Sequence, residues 1–168
     1  MRRHKDFWDK NAGRYDRFMR KDRAAYDEMY ELIRPVVRHK TVLELATGTG
    51  LIAKHIVNAA AHIEATDASA EMIAEAKRDT RSAKLHFSVQ DMFRLPYANQ
   101  SFHVVIVSNA LHIVPQPEKA LQEIKRRFGL NCRRSRRRGA VQQDISVEVG
   151  GEERPEQVRY EEIGRAHV

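Results

Sequence analysis

Cysteine is nearly absent from this chain: Cys132 is the single one in 168 residues. Neither a disulfide framework nor a cysteine-based zinc site can be built within one copy, and no metal is expected. No segment resembles a signal peptide, and no apolar run approaches the length needed to span a bilayer. The expectation from these absences is a cytoplasmic protein without a membrane span. Acid is missing where base is densest. Residues 125–138 hold 8 basic residues and no acid, residues 1–124 hold 19 Lys+Arg against 16 Asp+Glu, and residues 139–168 hold 3 against 7. The formal net charge of +7 is therefore a local run. Such a run can contact nucleic acid or a membrane surface. No aromatic residue interleaves residues 133–138 and no recognition motif accompanies them, which argues against a non-catalytic nucleic-acid-binding protein. Nucleic acid is not expected as a partner.

What the chain does have is Thr41-Val-Leu-Glu-Leu-Ala-Thr-Gly-Thr-Gly50. A short apolar run broken only by Glu44 leads into two glycines, and residues 51–60 follow with Ala and Ile at helical spacing. Strand, glycine turn and helix in that order make a ligand cradle. Glycine lets the backbone turn tightly and lets a ligand approach without meeting a Cβ. Upstream, Trp8, Ala12, Tyr15 and Met19 form the stripe of an amphipathic helix over residues 5–20. A second helix is expected over residues 23–33, ended by Pro35.

Downstream, strands and helices alternate. Strands are expected at 42–45, 62–66, 85–89 and 102–107, and helices at 51–60, 69–80 and 117–126. Ser69 is a suitable N-cap, with Glu71 in the first turn. The order implies an α/β fold: a Rossmann-like, doubly wound, mostly parallel sheet with flanking helices. Ligands bind such sheets beyond the carboxyl ends of the strands. The notable polar residues fall there: Glu44 in the first strand, Asp67 after the second, Asp91 with Met92 after the third, Ser108 and Asn109 after the fourth. Any one of these acids could be a mere turn residue or N-cap. Their recurrence at successive strand ends points to a site.

These stretches resemble the class I S-adenosylmethionine-dependent methyltransferases, in the group that includes the ubiquinone/menaquinone biosynthesis methyltransferases. Val42-Leu-Glu-Leu-Ala-Thr-Gly-Thr-Gly50 is similar to the family's glycine motif, with Ala46 where a first glycine is usual. Asp67-Ala-Ser-Ala-Glu-Met-Ile73 resembles its Asp-x-Ser-x-x-Met segment. Asp91-Met-Phe-Arg-Leu-Pro-Tyr97 with Ser101-Phe102 resembles the approach to its fourth strand. Trp8-Asp9 and Tyr15-Asp16 resemble its N-terminal helix. The resemblance implies S-adenosyl-L-methionine as cofactor, a small-molecule methyl acceptor, and a role for each matched residue. Glu44, Ala46, Gly48 and Gly50 would surround the methionine part. Asp67, with Ala68 beside it, would bind the ribose. Asp91 and Met92 would hold the adenine, Asn109 would line the methionine end, and Tyr15 would close over the pocket. His103 stands where the family has Asp, at a position facing away from the cofactor. If the acceptor must lose a proton, His112 is the candidate base. The rival reading is a nicotinamide-dependent oxidoreductase, because Gly48-Thr-Gly-Leu-Ile-Ala53 also fits G-x-G-x-x-A. That fingerprint has no use for Glu44 or for the Asp91–Met92 pair.

The resemblance covers residues 5–126 and then stops. The expected domain is residues 1–126, comprising N-terminal helices over 1–37 and a cofactor-binding core over 38–126. Residues 127–168 read as a non-native or disordered tail. Ile163-Gly-Arg-Ala-His-Val168 is what ATC GGA AGA GCA CAC GTC would encode, which resembles a sequencing adapter. Four of the family's seven strands are then expected, with the fourth exposed as an apolar edge and turnover impaired.

Overall fold

The computed structural model describes residues 23–128 and 145–149. The expected helix over 5–20 with Tyr15, the basic run at 133–138 and most of the expected tail lie outside the described residues. The first described helix, α1 (Arg23–Val37), carries Pro35 inside its last turn. The sequence ends this helix near Ile33, because proline disfavours helical geometry in the residue before it. Burial overrides that local preference: Ile33 and Val37 are 1% and 0% exposed. The elements that follow are β1 (Thr41–Leu45), α2 (Leu51–Ile56), β2 (His62–Asp67), α3 (Ala70–Arg78), β3 (Leu85–Val89), β4 (Val104–Ser108), α4 (Pro117–Phe128) and β5 (Ile145–Val149). Helix α2 stops short of the expected residue 60. The chain turns there, Ala59 and Ala60 donating back to the Ile56 carbonyl, so that it can re-enter the sheet at His62.

The sheet order is β3-β2-β1-β4-β5. The four expected strands pair in parallel. One expectation fails. Strand β4 is not left as an edge, because β5 pairs with it antiparallel from Ser108↔Ile145 to Val104↔Val149. The backbone groups of β4 that would have faced solvent are thereby bonded. Ile145, Val147 and Val149 do alternate with polar residues in the sequence, but so short a pattern does not announce a strand of this sheet.

Alternate residues of each strand feed two cores. Val42, Ile63, Ala65, Val104 and Ile106 pack with α1, α2 and α3 residues such as Ile33, Ile56 and Ile73. Leu43, Leu45, Val105 and Val107 pack on the other face with Leu95, Phe102 and Ile124. Val104, Val105, Ile106 and Val107 are at most 2% exposed, as suits a strand covered on both faces. Arg127 is buried and donates to the Leu95 carbonyl and to Glu123 Oε1, which ties α4 to the β3–β4 connection.

Candidate active site

The register puts the carboxyl ends of four strands side by side. Leu45 pairs with Thr66 and with Val107, and Asp67 pairs with Val89. Pairing of β1 with β2 continues one step further, where the Thr47 amide donates to the Thr66 carbonyl at 2.9 Å. The chain then bends sharply. Ala46, Gly48 and Gly50 take φ of 52°, 57° and 78°. Gly50 begins α2, and a Cβ there would lie 2.5 Å from Phe87 Cζ and 2.7 Å from Phe87 Cε1. Glycine is therefore required at this position by close helix-to-sheet packing as well as by backbone conformation.

Asp67 holds this bend. Its Oδ2 accepts from the Gly48 amide and its Oδ1 from the Ser69 amide, each at 2.9 Å. These two bonds tie the end of β2 to the glycine bend on one side and to the start of α3 on the other. Ala68, beside it, is exposed. Ser69 caps α3 as expected, accepting from the Met72 amide at 3.1 Å.

Glu44 sits beneath the bend, 2% exposed. Burial pushes its carboxyl up from 4.5 to about 8; nearby Thr47 and the Ala53 amide oppose the shift, and the Asp67 charge adds to it. Glu44 Oε2 and Thr47 Oγ1 are both buried without a hydrogen-bond partner. Thr47 is thus near enough to moderate the charge without forming a well-directed bond to Oε2. Sequence reasoning misses Thr47, although it lies between Ala46 and Gly48 in the motif itself; nothing in its residue type marks it as buried.

Two further strand ends complete the edge. Asp91 is exposed and folds back on its own loop, its Oδ1 accepting from the Phe93 amide at 2.9 Å, with Met92 half-buried beside it. Asn109 follows β4 at φ 52°, a conformation asparagine tolerates better than most residues. His112 lies exposed in the turn between β4 and α4. His103 is at the opposite edge of the sheet, its Nδ1 facing the Thr41 hydroxyl and amide. A cavity of about 380 Å³, lined by Arg34, Arg38, His39, His55, Asn58 and Ala59, is formed where α1 and α2 end, away from the glycine bend. Among the described residues no cluster of metal-ligating side chains exists and no helix is long and apolar enough to cross a membrane.

Residues 42–128, from β1 to the end of α4, match the methyltransferase domain family. The chain belongs to that family. Its methyltransferase domain is 36% identical over 85 residues to the demethylmenaquinone methyltransferase of Paenarthrobacter aurescens, covering 51% of this chain and 33% of that protein. It is 39% identical over 90 residues to the ubiquinone/menaquinone biosynthesis C-methyltransferase UbiE of Bdellovibrio bacteriovorus, covering 51% of this chain and 38% of that protein. The matched part thus spans about a third of the length of these relatives. Among solved structures, the DhpI–SAH complex superposes with a TM-score of 0.59 at 28% identity, covering 74% of this chain and 62% of that one.

Proposed function

We propose that this chain carries the cofactor half of an S-adenosyl-L-methionine-dependent methyltransferase acting on a small-molecule acceptor. The observation that carries the reading is the Asp67 carboxylate clasping the Gly48 amide, with the unsatisfied Glu44 and Thr47 oxygens beneath the same bend. Orphaned buried acceptors beside a glycine turn fit a ligand that brings both hydroxyls and an ammonium group. In this reading Glu44, Ala46, Gly48 and Gly50 hold the amino-acid tail. Asp67 accepts from the ribose hydroxyls, Asp91 and Met92 hold the adenine, and Asn109 lines the tail end. When bound, the cofactor supplies an activated methyl group on a sulfonium.

The chain's own contribution is to orient donor and acceptor and to exclude water, where proximity gives most of its rate effect. Tyr15 would supply an aromatic face to the sulfonium. His112, exposed after β4, would take a proton only from an acceptor that must lose one. The names of the relatives make a quinone of the demethylmenaquinone kind the first acceptor to try. The rival nicotinamide reading leaves Glu44 and Thr47 without a task. Calorimetric titration with S-adenosylhomocysteine and with NAD separates the two. Binding of the first and not the second is expected, and tight NAD binding would overturn the assignment.

A further inference from the structure

Glu44 is walled in by its own elements. Thr47 approaches from the turn after β1, the Ala53 amide from α2, and Asp67 from the end of β2. The one charged group in that set is another acid, which repels a carboxylate rather than neutralising it. Among the described residues no lysine, arginine or histidine forms an ion pair with Glu44. One of its oxygens and the adjacent Thr47 hydroxyl have no partner. A buried carboxylate in such a setting costs more than the neutral acid.

We propose that Glu44 carries a proton while the site is empty and gives it to the solvent when a ligand's ammonium group enters the glycine bend. Cofactor binding and proton release are then one linked event. The inference rests on the cofactor reading above. Its physical basis is that an arriving cation supplies the opposite charge that the fold leaves out. The burial-raised value of about 8 agrees with a neutral Glu44 at neutral pH. By linkage, affinity for the ligand rises about tenfold per pH unit between roughly pH 6 and pH 8, then levels off.

The test is calorimetric titration of the chain with S-adenosylhomocysteine at about pH 6.5, repeated in buffers of different ionisation enthalpy. The observed heat should vary with buffer so as to report about one proton released per site. Glu44→Gln should bind with no buffer dependence. 5′-Methylthioadenosine, which lacks the amino-acid tail, should bind the unmodified chain without releasing a proton. Binding of S-adenosylhomocysteine with no buffer dependence overturns the proton linkage and leaves the cofactor reading standing. Equal release by Glu44→Gln also overturns it, because another group then supplies the proton. Release on binding 5′-methylthioadenosine does the same, because no ammonium group has arrived, and this arm needs no variant. Failure of S-adenosylhomocysteine to bind at all overturns the cofactor reading, and the linkage with it.

Discussion

Glu44 and Glu64 stand one register step apart on neighbouring strands, and the sheet treats them in opposite ways. Glu44 pairs with Ala65 and Glu64 with Leu43, so the two carboxyls leave on opposite faces. Glu64 keeps contact with water, its side chain 19% exposed, and receives His62 and His86 at 2.8 Å on its two oxygens. Glu44 is 2% exposed, and among the described residues no cation pairs with it. A fold that needed only stability would fill the Glu44 position with an apolar side chain, as it does at Val42 and Ile106 on the same face. Retaining an unmatched acid under a strained turn is the pattern expected where a ligand completes the arrangement.

The largest test of that contrast is to prise open the cover over Glu44. In Gly50→Ala the new methyl meets the buried Phe87 ring at 2.5 Å while the backbone stays left-handed. Overpacking and the left-handed conformation together should cost about 3 kcal/mol in chemical denaturation. A loss under about 1 kcal/mol would mean that α2 is not held against β3 as described. The next effect reads Glu44 itself. Its folded value is raised from 4.5 to about 8, so the fold keeps a proton that the unfolded chain has lost. Its contribution to stability is complete below 4.5 and falls as the pH climbs towards about 8. Between roughly pH 5 and pH 7 the protein should lose about 2 kcal/mol. Glu44→Gln should remove that component of the slope, and an unchanged slope would show that Glu44 is hydrated after all.

Much of this contrast is legible in the sequence. Period and composition place the four parallel strands to within about two residues, because their apolar runs are bounded by turn residues. The strand-end acids Glu44, Asp67 and Asp91 stand towards the carboxyl ends of the neighbouring strands β1, β2 and β3, and Asp91 spends one oxygen on its own loop. The misses have physical causes. Pro35 sits inside α1 because tertiary burial of Val37 outweighs a local preference. The end of α2 carries no glycine or proline, and only the need to return to His62 sets it. Strand β5 is polar on alternate residues and pairs with a strand distant in sequence, so nothing local announces it. Thr47 and its missing hydrogen bond belong to packing, which residue type does not encode.

The smallest effect is the control. Glu64→Gln removes charge from a carboxyl that touches two imidazoles, one of them, His86, 62% exposed. Exposed pairs of this kind gain little, since solvent screens the attraction and ordering the side chains costs entropy. The amide still accepts through its oxygen, so the loss in thermal or chemical denaturation should stay near about 0.5 kcal/mol. If Glu64→Gln instead cost as much as Gly50→Ala, the two acids would be equally structural. Glu44 would then not stand apart from Glu64 as the acid held out of balance for a ligand.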